Sequence, residues 1–150
     1  MTTPTRIRGL LHPACGPLVR VEIAAANGDR VDGVALLDTG ASRSAIDRII
    51  ARELELPSPG AASWFAISQT AEAPDLAPLR RGVVRVHGAP NGWVLDLIEV
   101  PRLSDALDGY EIIALLGWDV LDQCRLTTDG PGGAFTLEIP PSPRAARRRR

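Results

Sequence analysis

Few side chains in this sequence have the type and spacing to do chemistry. Histidine occurs only at His12 and His87, and His87 continues a strand pattern with Val84 and Val86. Neither has the cysteine or carboxylate spacing of a metal ligand, so both read as surface residues and no metal or cofactor is expected. A nucleophilic serine would want a G-x-S-x-G elbow, and the chain has none. Gly130, Gly132 and Gly133 precede a strand pattern and lack the helix N-terminus that cradles phosphate, so they read as a hairpin turn. There remains Asp38, in Asp38-Thr39-Gly40-Ala41-Ser42, directly after the apolar run Val34-Ala35-Leu36-Leu37. A carboxylate at the end of a buried strand is costly unless it is hydrogen-bonded or shares a proton. The plainer reading of the same residues is a turn Asp that bonds its own backbone.

The scaffold that must carry Asp38 is one domain of 150 residues. Hydrophobic residues make up 45% and no apolar run approaches the ~20 residues of a membrane span, so no membrane association is expected. Met1 to Leu11 carries two arginines and no sustained apolar stretch, which does not read as a secretory signal. Cys15 and Cys124 are far apart and form no CxxC, which suits a reduced, cytoplasmic setting. There is no lysine, and five of the 17 basic residues are Arg144 and Arg147 to Arg150. Residues 1–143 then hold 12 arginines against 18 acids, a net charge of −6. An acidic body without a matching basic face argues against nucleic acid as a partner, apart from weak, salt-sensitive contacts of the tail. The tail itself is expected to be a solvated, disordered end.

Periodicity supplies the elements. Residues 1–16, punctuated by Pro and Gly, are expected to be a partly loose N-terminal extension. Val19, Val21 and Ile23 alternate with Arg20 and Glu22, and Asn27-Gly28 predicts a hairpin into the return strand that ends at Leu37. Ser44 is expected to cap a helix carrying Ile46, Ile49, Ile50 and Leu54 on one face, ending before Pro57. Strands are expected at Trp64 to Ile67, Leu76 to Arg81, around Val84 and Val86, and from Trp93 to Val100. Ile112 to Leu116 is a second wholly apolar strand, which Trp118 to Gln123 follows as a short helix. A last hairpin runs from Cys124 to Ile139. Many short strands and one clear helix define an all-β domain, barrel-like or sandwich-like.

In this setting the chain resembles the retropepsin-like aspartic proteases, the single-domain, retroviral-type branch of the pepsin clan. The resemblance rests on the hairpin Val19 to Leu37 leading into Leu36-Leu37-Asp38-Thr39-Gly40-Ala41-Ser42, and on a segment around residues 60–80 where the family has its flap hairpin. It rests further on Ala114-Leu115-Leu116-Gly117, continued by Asp119-Val120-Leu121, as the second signature, and on a closing C-terminal hairpin. It covers residues 17–139. The implied organisation is an N-terminal extension over 1–16, a protease domain over 17–140 with a closed barrel, one main helix and a flap, and an Arg-rich tail over 141–150. Two positions depart from the viral pattern. Ser42 and Trp118 stand where viral members carry an Asp and an Arg that form an ion pair, so apolar packing of Trp118 is expected to brace the turn instead. No glycine lies between Trp64 and Pro78, unlike the usual flap tip.

The activity implied is peptide-bond hydrolysis by two carboxylates that share one proton, one acting as base toward water and the other as acid. The chain holds a single Asp-Thr-Gly and has no room for a second lobe, so the second carboxylate must come from a second chain in a symmetric homodimer. The resemblance gives Asp38 the catalytic role, Thr39 a bond across the two-fold axis and Gly40 the tight turn. Ala41 and Ser42 would bond an extended peptide or protein substrate, with Trp64, Phe65 and Ile67 lining its pocket; a place in the core is the equal alternative for Trp64 and Phe65. The competing expectation is a catalytically silent module of the same fold that binds extended peptides by strand addition.

Overall fold

A computed structural model describes residues 3–64, 75–103 and 110–141. Ten strands and two short helices follow in the order β1 (Thr5–His12), β2 (Gly16–Ala24), β3 (Arg30–Leu37), β4 (Ala45–Asp47), α1 (Arg48–Glu53), β5 (Ala61–Trp64), β6 (Asp75–Val86), β7 (Trp93–Val100), β8 (Ile112–Leu116), α2 (Trp118–Leu121), β9 (Arg125–Asp129) and β10 (Ala134–Ile139). Strand β6 pairs with β2 as well as with β7, so β2, β3, β8, β4, β7 and β6 return on themselves as a closed six-stranded barrel. Closure removes the edges of these six strands, while β5 and β9 remain at the ends of the ten-stranded sheet. At the seam Glu22 lies opposite Arg85, and their side chains form an ion pair at 3.2 Å.

The alternation in β2 turns Val19, Val21 and Ile23 into the barrel. The predicted hairpin is present: Gly28 adopts a positive φ of 94°, and Asn27 accepts a bond from the Asp29 amide through its side-chain oxygen. In β3 only Ala35 and Leu37 are buried, because Val34 and Leu36 point outward into surface clefts. Strand β8 is buried along nearly its whole length. It lies between β3, to which it is parallel, and β4, to which it is antiparallel. Its inward face joins the main core, while Leu115 packs outside the barrel against a smaller cluster of Ala45, Ala77, Ile98 and Val100.

Several elements differ from the sequence expectation: the strand expected to start at Trp64 starts at Ala61, and the segments expected at Leu76 to Arg81 and around Val84 and Val86 are one continuous strand, β6. Residues 5–12, expected to be loose, form β1 and pair with β10 from Thr5↔Ile139 to Leu10↔Ala134. Gly9 hides the pattern, since it occupies an inward position with no side chain, and the ring of Phe135 fills that space. The helix begins later than Ser44. Ala45–Asp47 is a strand inserted between β7 and β8, Asp47 is the N-cap through a 2.8 Å bond from the Ile49 amide, and Ile49 is 65% exposed. Pairing on both sides of β4 offers these three residues more than a first helical turn would, so tertiary context overrides the helical spacing. The C-terminal hairpin is as predicted, with Asp129 accepting from the Gly132 amide at 2.9 Å and Gly133 at φ 66°.

Candidate active site

Strands β3 and β8 run parallel and end side by side, and each enters a tight turn. Asp38 extends the ladder by one residue, its amide donating to the Leu116 carbonyl at 2.9 Å. The chain then turns, with the Ala41 amide donating to the Asp38 carbonyl at 3.2 Å. Within this turn the Gly40 amide donates to Asp38 Oδ1 at 2.9 Å. The carboxylate is half-buried and lines a cleft of about 720 Å³ with Thr39, Trp118 and the apolar side chains of Pro17, Leu36 and Leu121. Asp38 is the one carboxylate among the described residues lining that cleft.

Beneath the turn lies a buried polar brace. The Asp119 carboxylate, on α2, accepts from the Ser44 amide through both oxygens, at 3.1 and 3.0 Å, and from the Ser44 hydroxyl at 2.6 Å. That hydroxyl in turn accepts from the Gly117 amide at 3.0 Å. Ser44 is fully buried, so each of these groups would be costly left unpaired. The two turns also touch through backbone. The Trp118 amide donates to the Ala41 carbonyl at 2.9 Å. Gly117 is required by this approach: a Cβ there would lie 2.7 Å from the Ala41 carbonyl oxygen and 2.9 Å from that of Arg43.

Trp118 braces the turn, but not by the apolar packing expected from the sequence. It is 45% exposed, and its indole Nε1–H donates to the Thr39 carbonyl at 2.6 Å. Ser44 likewise is a buried crosslink and not a helix cap. Its partner Asp119 is 75 positions away in sequence. Spacing along the chain cannot reveal such a partner. The available signal was an acidic residue following an apolar strand and a glycine, a place where a carboxylate needs donors from elsewhere in the fold.

Of the sequence-predicted site residues, Asp38, Thr39, Gly40, Ala41 and Ser42 form one continuous turn, with Thr39, Gly40 and Ser42 exposed. The backbone of Trp64 pairs with Asp75, where β5 and β6 run antiparallel within the segment assigned to the flap. Phe65, Ile67, the flap tip and the Arg-rich tail from residue 142 onward lie outside the described residues. His12 stacks edge-on against Tyr110, and His87 Nε2 lies 2.9 Å from Asp32 on the surface.

Two thiols share the cleft with Asp38. Burial, aided by the nearby Asp122 charge, pushes the Cys124 thiol up to about 11, and burial also raises that of Cys15. Both stay protonated at neutral pH, and protonated thiols are poor nucleophiles. Among the described residues no group of three or more His, Cys, Asp or Glu side chains is arranged to hold a metal ion. No helix among them is long and apolar enough to cross a membrane.

Fold and site together define an all-β protein, a closed barrel with an aspartate turn at one end. Compared with known protein families and with curated protein sequences, the chain matches none.

Proposed function

We propose that the chain is an aspartic endopeptidase of retropepsin type, active as a symmetric homodimer in which each subunit supplies one Asp38. The observation that carries this reading is the Asp38 turn. A half-buried carboxylate stands at the end of a barrel strand, oriented by the Gly40 amide, beside a cleft with apolar walls. Two such carboxylates about 3 Å apart cannot both ionise, so the pair holds one proton. The ionised member removes a proton from a bound water, which attacks the scissile carbonyl. The protonated member donates to the developing oxyanion, and the proton then passes to the leaving nitrogen. No covalent enzyme intermediate forms. The exposed backbone at Ser42 offers hydrogen bonds to an extended substrate, as strand addition requires, whereas the amide and carbonyl of half-buried Ala41 are already engaged by Asp38 and Trp118.

The test compares wild type with Asp38→Asn on an unbiased peptide library, with and without a pepstatin-like inhibitor. Asn keeps the side-chain shape and an oxygen to accept from Gly40, while the base and the shared proton are lost. Cleavage by the wild type that is blocked by the inhibitor and absent from the folded variant is the expected result. Equal cleavage by both proteins overturns the assignment. Peptide binding without cleavage by either protein would establish the silent binding module instead.

A further inference from the structure

We propose that Trp118 is a positioning residue for Asp38, acting through the single peptide unit between Thr39 and Gly40; the inference rests on the peptidase reading for its kinetic consequences but not for its structural ones. That peptide unit is planar and trans, so its carbonyl and its N–H point in opposite directions. Its carbonyl accepts from the Trp118 indole at 2.6 Å, and its N–H donates to Asp38 Oδ1 at 2.9 Å. Indole, peptide plane and carboxylate therefore form one chain of hydrogen bonds.

The turn needs such a hold. Thr39 and Gly40 are both exposed, so packing does not fix the plane between them. Glycine accepts either sign of φ, so a flip of this peptide meets little steric resistance on the Gly40 side. A flipped plane would withdraw the N–H from Asp38 and direct the carbonyl lone pairs toward the carboxylate. The indole opposes the flip, because rotation would break its bond to the carbonyl. It also polarises the amide, and a donor on the carbonyl strengthens the N–H as a donor at the other end. Trp118 is itself held in place, since its own amide bonds the Ala41 carbonyl and Gly117 before it is locked against Ala41 and Arg43. Thus one residue of α2 grips two carbonyls of the Asp38 turn, two positions apart.

Among the described residues, the charged and titratable groups around this chain of bonds are these. Arg125 of β9, Cys15 and Cys124 line the same cleft, and Asp119 lies on the α2 side, engaged by Ser44. None of these stands between the indole and Asp38 in the bonds described, so the effect of the indole N–H is separable from theirs.

The experiment replaces Trp118 by 3-benzothienylalanine, in which sulfur replaces the indole N–H within a ring of nearly the same shape. Trp118→Phe serves as a second variant. Amide hydrogen exchange at Gly40 is read by NMR in both, beside kcat and KM at protein concentrations that keep the dimer assembled. Gly40 exchange should accelerate at least about tenfold, the scale of one charge-assisted hydrogen bond. Protection in the barrel strands should stay unchanged. In the peptidase assay kcat should fall by about tenfold with KM within about twofold, because the carboxylate is still present but no longer held in its reactive orientation. Gly40 protection and kcat both equal to wild type in the benzothienyl variant would overturn the proposal. Faster Gly40 exchange in a protein whose wild type cleaves nothing would uphold the brace and overturn the peptidase reading.

Discussion

Ser44→Ala tests the buried brace under the Asp38 turn. The substitution removes one oxygen and with it two hydrogen bonds. The first is donated to the Asp119 carboxylate at 2.6 Å, and the second is accepted from the Gly117 amide at 3.0 Å. A bond to a charged group contributes about 1.5–3 kcal/mol, and a buried donor left unpaired costs about 1–3 kcal/mol. Asp119 is only half-buried and can recruit water in place of the lost hydroxyl, which takes the carboxylate part toward its lower bound. Gly117 is buried and has no such recourse. The expected loss is about 3 kcal/mol, a substantial share of the ~5–15 kcal/mol that holds a typical domain together. With a urea m-value of about 2 kcal/mol/M, the midpoint should fall by about 1.5 M at unchanged slope. Unfolding is followed by far-UV circular dichroism at fixed protein concentration, so that any dimer contributes equally. Ser42→Ala, two residues away and exposed, is the control and should stay within about 0.5 kcal/mol of wild type. Asp119→Asn retains an oxygen for the Ser44 hydroxyl but loses an acceptor for the Ser44 amide, and should fall between the two. A Ser44→Ala midpoint no lower than that of Ser42→Ala would refute the claim that this crosslink holds the two turns together.

Gly117→Ala should cost about 3 kcal/mol, because the added Cβ would meet backbone carbonyls that cannot rotate aside; chemical denaturation measures it directly. Deleting residues 1–12 should lower the melting temperature by about 10 °C or more, since β10 loses its β1 ladder and Phe135 its cover; a melting curve matching the full chain would restore the view of this segment as a dispensable extension. The Cys124 thiol titrates near 11 in the folded protein against 9.0 for an unperturbed one, so the unfolded chain gives up its proton first. Its contribution is therefore fully present below pH 9 and is lost as pH rises from 9 toward 11. The fall in urea midpoint between pH 8 and pH 10.5 should be smaller in Cys124→Ala than in wild type. Iodoacetamide should modify Cys124 slowly at pH 8 and much faster above pH 10.

Local pattern carried much of this protein into view. The alternation of Val19, Val21 and Ile23, the Asn27-Gly28 turn, the apolar run from Ile112 to Leu116 and the C-terminal hairpin each concern residues close in sequence. There, side-chain period and turn chemistry act on a few neighbouring backbone angles. Asp38 also stood out locally, as a carboxylate between a buried strand and a Thr-Gly turn, and the bond it accepts from Gly40 spans only two residues. What surrounds that turn was decided by packing. Ser44 looked like a helix cap because its neighbours have helical spacing, yet β7 and β8 claim the next three residues as a strand and bring Ser44 onto Asp119. Residues 5–12 read as loose because Gly9 broke their alternation, and only the Phe135 ring, delivered from the far end of the chain, completes it. Trp118 looked like a packing residue, and its indole instead holds a carbonyl 79 positions away. In each case the sequence shows one partner's chemical need, and the other partner is set by pairing of strands distant in sequence, β1 with β10 for Gly9, β4 with β7 and β8 for Ser44, and β3 with β8 for Trp118, contacts whose loop-closure cost is met only by the whole fold.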